Sequence, residues 1–491
     1  MTELFYVTKK RIVLMVITPM IIVCAYSREA VSDTLNAKQS VQYKFFRKGN
    51  KGKKESGQVP EFEEDVTKLK GGDTNVVSRL ILEGLAHKDA DVFSLCFKAL
   101  RDSNNEKIYE AIAKKVSSVQ SPIALAACLN ILQHSNNPKN WKVCLKHVDS
   151  PNRAVGHIAT ELAGQGVKEA VPKLIKNLKN VKMKRMTVTL LVLNRLIGKS
   201  FKLDPTYFEN WWGDKTTQSE FKKTMRTPLE RSGGVIDFNK EKKFTAGSYH
   251  GSKIEYANSM FSLDTSLSMK PDQEYPRPEP QTGKEYLKGE LEAPFPPMPA
   301  GNGSKIWTAR IALATAIKNL HRKMMFGVIT FGGQIDAWKE AKLYPASVRK
   351  NLVDAYTWVL YDTPLTLGTF LYQSVEVATA NDDIEVMYLL TDGAPARCKL
   401  NICENGSIPL TSDDEILKVK YFNHEYINHL AFRLYETKRV TVHTFLIGGS
   451  RGAEVLQSIS EATHGDYKVI DMKKNKAKKD PQAKKKDKKE S

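Results

Sequence analysis

The sequence predicts a multidomain chain: an all-α array of repeated helices, then an α/β domain with an open, mostly parallel sheet covered by helices on both faces. Three observations predict it. Across residues 73–200, apolar residues recur at helical offsets in units that start 31 or 32 residues apart. From about residue 246, short apolar runs of strand length alternate with helical stripes. One such run, 384–390, is apolar except for Glu385, as expected of a strand covered on both faces.

A length of 491 residues fits two or three domains rather than one. A hydrophobic fraction of 41% supplies real cores, and 26% charged residues supply a soluble surface, which excludes disorder of the whole chain. The formal net charge of +20 points to something anionic: nucleic acid, an acidic polysaccharide or a lipid surface. No zinc finger, aromatic-basic signature or DNA-reading helix is present, so specific nucleic-acid binding is not expected.

In chain order, residues 1–27 come first. Lys9, Lys10 and Arg11 precede an apolar run from Ile12 to Val23, and Ala25 and Ser27 stand at −3 and −1 of a cut after Ser27. This is the layout of a secretory signal peptide, and the run is short for a bilayer core of ~30 Å. The expected location is periplasmic, cell-surface or secreted; an uncleaved signal acting as a membrane anchor is the alternative. Residues 28–72 are polar and lysine-rich and read as a linker.

In the array, Val92, Leu95, Cys96 and Ala99 occupy offsets i, i+3, i+4 and i+7, and Val155, Ile158, Ala159 and Leu162 repeat them. Ile123, Ala126 and Ala127 keep three of the four. Val171, Leu174, Ile175 and Leu178 supply a second helix to the last unit. The stretch 149–178, opening Asp149-Ser150-Pro151-Asn152, resembles a HEAT repeat. That resemblance implies a stacked solenoid, serving as a binding face or as a spacer. The connector 201–245 carries Asp204-Pro205, a cap and first-turn proline, then Tyr207, Phe208, Trp211 and Trp212, read as packing rather than a ligand platform.

The α/β domain is expected over 246–470. Strands are predicted at 258–263, 326–331, 384–390 and 440–447. Helices are predicted on the stripe Ile306, Ala309, Leu313, Ala316, Ile317 and Leu320, and at 352–359, 371–378, 416–435 and 453–462. The tail 471–491, with ten lysines against four acidic residues, reads as solvated and disordered, or as a tether to an anionic cell-surface polymer.

The candidate site lies in three separated segments. The strand at 258–263 runs into Asp264-Thr265-Ser266-Leu267-Ser268, Gly368-Thr369 precedes a helix, and the strand at 384–390 runs into Thr391-Asp392-Gly393. In an open parallel sheet, loops at the carboxyl ends of strands gather at the topological switch point, where Asp264 and Asp392 can meet. Spacing by two lets an extended loop aim Asp264, Ser266 and Ser268 the same way. These are hard oxygen donors without imidazole or thiolate, which selects Mg²⁺, Mn²⁺ or Ca²⁺ over zinc or copper.

In this order the segments resemble the metal-ion-dependent adhesion site (MIDAS) of von Willebrand factor type A (VWA) domains, with Leu267 where the family usually has glycine. The resemblance implies a Rossmann-like fold and one divalent cation. It implies direct ligation by Ser266, Ser268 and Thr369, action mainly through water by Asp264 and Asp392, and a protein or glycan carboxylate completing the shell.

A proline-rich insertion between Met269 and Ser304 and the segment holding Cys398 and Cys403 each follow a metal-bearing loop, and either shape partner choice or decorate the surface. Cys398 and Cys403 read as a disulfide in an oxidising compartment, with two free thiols or an incomplete zinc pair as the alternatives. No catalytic residues are assigned and the protein is read as a non-enzyme: there is no G-x-S-x-G elbow, P-loop or H-E-x-x-H, since His424-Glu425 is followed by His429, one residue too far. A metal-assisted hydrolase and a scaffold partner of an ATPase complex are the alternatives.

Overall fold

The computed structural model describes residues 58–225, 235–236, 238, 245–255, 257–269, 295–299, 303–393 and 424–472. The signal-like segment, most of the linker and of the proline-rich insertion, Cys398, Cys403 and the tail from 473 lie outside these residues. Residues 61–491 form one compact unit holding both the helices and the sheet. Among the described residues no helix is long and apolar enough to cross a membrane.

The expected linker is corrected at its end. Helix α1 (Gln58–Lys70) buries Phe62, Val66 and Leu69, spaced four and three apart, while Glu63, Glu64, Lys68 and Lys70 stay exposed. The lysine-rich composition hid that apolar stripe. A short turn α2 (Val77–Arg79) continues as a π-helical turn over Leu80–Gly84.

The array follows as α3 (Ala90–Arg101), α4 (Glu106–Lys115), α5 (Pro122–Ile131), α6 (Pro138–Trp141), α7 (Arg153–Gly164), α8 (Val171–Asn177) and α9 (Met183–Ile197). Side-chain oxygens start most of them. Asp89 accepts from Asp91 N, Asn105 from Lys107 N, Ser121 from Ala124 N and Asn152 from Val155 N. Each such cap stabilises its helix by ~1 kcal/mol. Gly198, at φ +71°, ends α9 in the left-handed conformation that glycine adopts without steric cost. Of the residues that carried the repeat, Val92, Cys96, Ala126, Ala127, Val155, Ile158, Ala159 and Leu162 are buried and Leu95, Ala99 and Ile123 are half-buried, and α3, α5, α7 and α9 pack side by side.

Asp204 caps α10 (Pro205–Gly213), and Asp214 caps α11 (Lys215–Thr224). Phe208 is buried against Phe201 at 5.2 Å between ring centroids, and Trp211 and Trp212 both pack on Phe221. Phe208, Trp211 and Trp212 therefore pack as expected, whereas Tyr207 is exposed.

A hairpin of β1 (Thr245–Tyr249) and β2 (Ser252–Glu255) precedes the main sheet. The sheet is built from β3 (Ser259–Asp264), α12 (Lys305–Lys318), β4 (Met325–Phe331), β5 (Ile335–Ala337), β6 (Tyr344–Pro345), α13 (Arg349–Thr357), α14 (Leu371–Thr379), β7 (Val386–Thr391), α15 (His424–Lys438), β8 (Thr441–Ile447), α16 (Ala453–Ala462) and β9 (Tyr467–Ile470). Strand order is β5-β4-β3-β7-β8-β9, with β6 also on β4. Strands β3, β4, β7, β8 and β9 run parallel, and β5 and β6 antiparallel.

Strand residues alternate between two buried cores. Phe261, Leu263, Val328, Tyr388, Leu390 and Phe445 pack with α12 and α13. Met260, Ile329, Phe331, Met387, Leu389 and Leu446 pack with α14, α15 and α16. Glu385, the exception in its run, is buried just before β7; one carboxylate oxygen accepts from Asn258 N at 3.0 Å. Burial raises its pKa, and Arg153 opposes the rise.

The array docks on this domain. Helix α15 lies across α3, α5 and α7. Arg153 donates to the carbonyls of Asp382, Ile384 and Lys438 at 2.7–2.9 Å, gripping the chain just before β7 and β8. Lys184 donates to Thr441 Oγ1 at 2.9 Å. Arg439 bonds Glu161 and Asn130, both at 2.8 Å from Nη2. Burial works against the Arg439 charge, yet Glu161, Tyr435 and Glu436 hold its pKa above the ordinary range. Burial alone would raise Glu161, but Arg439 and His157 hold it below the usual carboxylate range.

Candidate metal centre

Strand β3 lies between β4 and β7, so chain order reverses beside it. The crevice outside the carboxyl ends of β3 and β7 is the switch point of the sheet. Leu263 pairs in register with Leu390, which sets Asp264 beside Thr391 at that rim. Asp264 is fully buried: one carboxylate oxygen accepts from Ser266 N at 2.7 Å and the other from the Thr391 hydroxyl. The first contact is an Asx-type turn that folds the loop back over the strand end. Ser266 Oγ and Ser268 Oγ are 2.8 Å apart, and Ser268 Oγ donates to Asp392 Oδ1 at 2.7 Å.

The Thr369 loop is laced to this set. Ser266 and Thr366 form an isolated parallel bridge, Leu267 N donates to Thr366 O at 3.0 Å, and Thr366 N donates to Thr265 O at 2.9 Å. Beyond Thr369, Phe370 N donates to Gly332 O at 2.9 Å. Two glycines after β4 permit this approach. A Cβ on Gly333 would stand 1.8 Å from Leu367 O, and one on Gly332 2.1 Å from Thr366 Oγ1. Asp264, Ser266, Ser268 and Asp392 thus form one hydrogen-bonded chain, with Thr369 buried in the loop bound to it.

Three contributors had no role in the sequence reading, although Thr391 stood in one of its segments. Thr391 holds Asp264, Thr366 holds the Ser266 loop, and Lys305 Nζ lies 2.6 Å from Asp392 Oδ2. Lys305 had a signal: in a β-α-β unit the helix after a strand starts at the carboxyl rim, and Lys305 is the first residue of α12 after the Ser304 cap.

Burial raises the Asp264 carboxyl to about 6, against the lowering effect of hydrogen bonds from Ser266 and Thr391, and the Asp392 charge adds to the rise. Lys305 offsets one carboxylate, but no cationic side chain is within ion-pair distance of Asp264 among the described residues. A buried carboxylate of this kind is expensive unless a positive charge faces it. Among the described residues no three His, Cys, Asp or Glu side chains gather into a metal-binding group. The donors at the rim are two carboxylates and hydroxyls, a set that fits a hard cation.

The sequence matches no family model, and no curated protein matches it significantly. Among solved structures, a von Willebrand factor type A protein from Catenulispora acidiphila is similar at 17% identity and TM-score 0.28, over 45% of this chain and 40% of that one. BatB from Bacteroides thetaiotaomicron is similar at 14% identity and TM-score 0.25, over 44% of this chain and 90% of that one. Proximal thread matrix protein 1 from mussel byssus, with a zinc-occupied MIDAS motif, is similar at 14% identity and TM-score 0.28, over 58% of this chain and 54% of that one. The chain thus spans less than half the length of the first of these. Scores of this size fix neither fold nor function.

Proposed function

We propose that this is an exported, divalent-cation-dependent binding protein of the VWA type, with a HEAT-like helical array as its base. The observation that carries the reading is the convergence, at one switch point, of Asp264, Ser266, Ser268 and Asp392 in a single hydrogen-bonded chain, with the Thr369 loop bound to Ser266. Ser266, Ser268 and Thr369 would hold the cation directly, and Asp264 and Asp392 mainly through water. The proposed ion is Mg²⁺, or Mn²⁺ or Ca²⁺.

A bound ion supplies an electrophilic centre for a carboxylate offered by a protein or glycan partner. The chain's own residues prepare that centre. Asp264 fixes the turn that presents Ser266, Thr391 keeps the Asp264 carboxylate in place, and Lys305 adds positive charge that favours an anionic partner. We read the role as binding rather than catalysis. The lysine-rich tail is proposed as a second, electrostatic contact to an anionic cell-surface polymer.

The test is calorimetric titration of the full-length protein with Mg²⁺ and Mn²⁺. One saturable site is expected in the wild type and none in Asp264→Ala. Absence of binding in the wild type, or undiminished binding in the variant, overturns the reading.

A further inference from the structure

Seven large hydrophobic residues stand well exposed among the described residues, and two of them, Leu267 and Leu367, belong to the loops of the proposed cation site. Leu367 is 71% exposed and Leu267 44% exposed. Leu267 lies between Ser266 and Ser268 in the chain, and Leu367 lies two residues before Thr369. They are held near each other, because Leu267 N donates to the carbonyl of Thr366, the residue before Leu367.

The Leu367 backbone is fixed as well. Its carbonyl fills the space where Gly333 has no side chain. Scattered exposed apolar residues need no explanation, and what sets this pair apart is that both lie on the loops of the proposed cation site. At the same rim, Lys305 lies against Asp392 and reaches towards the Ser268 carbonyl at 3.5 Å.

We propose that Leu267 and Leu367 form an apolar collar that selects a protein partner in which an Asp or Glu is flanked by aliphatic side chains. This inference rests on the cation-binding reading above and narrows its partner class. The rim offers two complementary chemistries side by side. Positive charge from the cation and Lys305 takes the carboxylate, and the two leucines take apolar groups next to it. A polyanionic sugar offers carboxylates surrounded by hydroxyls and would leave both leucines facing polar atoms, so the collar disfavours glycans and favours a peptide segment. Leucine in place of the glycine that VWA-type loops usually carry between these two serines is what builds half of the collar.

The experiment uses the full-length protein saturated with Mg²⁺ and two synthetic peptides, acetyl-Leu-Asp-Leu-amide and acetyl-Ser-Asp-Ser-amide, with glucuronate as a third probe. Affinities are read by ligand-observed NMR. The leucine peptide is expected to bind about tenfold more tightly than the serine peptide, equivalent to ~1.4 kcal/mol and to covering roughly two methylene groups. In the Leu267→Ser/Leu367→Ser variant that preference disappears, while Mn²⁺ affinity by calorimetry and the thermal midpoint stay at wild-type values.

Equal binding of the two peptides overturns the collar, as does tighter binding of glucuronate, a preference that survives in the double variant, or failure of every probe to bind a protein that calorimetry shows to be metal-loaded. In each of these cases the cation site itself stands. Failure of the wild type to take up Mg²⁺ or Mn²⁺ removes the site and the collar together.

Discussion

Replacing Glu161 by alanine strips a buried guanidinium of its nearest carboxylate at the seam between the helical array and the α/β domain. Arg439 Nε donates to Glu161 Oε2 at 2.9 Å, and Nη2 lies 2.8 Å from the same oxygen. Its other acceptors are Asn130 Oδ1 at 2.8 Å, Tyr435 O at 3.2 Å and Glu436 Oε2 at 3.3 Å. Removing one partner of a buried, hydrogen-bonded pair costs roughly 3–5 kcal/mol, because the other charge stays out of water. Glu436 keeps part of the compensation, so the lower end, about 3 kcal/mol, is expected. The assay is urea unfolding of the full-length protein followed by tryptophan fluorescence, with the midpoint displaced and the slope unchanged. A companion variant, Glu161→Leu/Arg439→Met, recovers most of the loss, since apolar side chains of similar volume replace such pairs at little cost. A loss below about 1 kcal/mol, the range of exposed ion pairs, refutes the reasoning, and so does a double variant no more stable than the single one.

Other outcomes follow from the same contacts. His157 is buried 3.3 Å from Glu161, and burial pushes its imidazole down to about 4. A folded pKa below the unfolded 6.5 means that the stability is fully present above 6.5 and is lost as pH falls towards 4. About 3 kcal/mol is withdrawn by pH 4, and His157→Gln flattens that part of a stability-against-pH curve; an unchanged curve removes the assignment. In Gly333→Ala, the new Cβ stands 1.8 Å from Leu367 O and forces the Thr369 loop outward. Mn²⁺ affinity is expected to fall more than about tenfold in calorimetry, and wild-type affinity would show that loop docking does not matter. Lys305→Met removes a charge next to Asp392 and is expected to raise Mg²⁺ affinity by about tenfold, since a unit charge a few ångströms away at intermediate dielectric acts with more than about 1 kcal/mol; weaker binding counts against that geometry.

The sequence was most informative where burial is symmetrical. Strands β3, β4, β7 and β8 are buried on both faces and mostly apolar, so their runs stand out, and each was placed within two residues at either end. Strand β9 was not legible because it is an edge strand of four residues in which only Ile470 is buried, Tyr467 and Lys468 are half-buried and Val469 is exposed. The β1–β2 hairpin, with Gly247 and Gly251 at positive φ, has the same weak pattern. Of the candidate site, the carboxylates and hydroxyls follow from three short segments, whereas Lys305 depends on how α12 enters the rim. The docking of α15 on α3, α5 and α7 had no local signature. Arg153 bonds to backbone carbonyls, which any residue supplies, and Arg439 and Glu161 are 278 residues apart in the chain.

Arg153 and Lys184 hold the starts of β7 and β8, and the proposed ion lies past the opposite end of β7, some six residues or about 20 Å along the strand. The hold by the array and the candidate site therefore meet β7 at opposite ends, and a change at Arg153 reaches the site through the length of that strand.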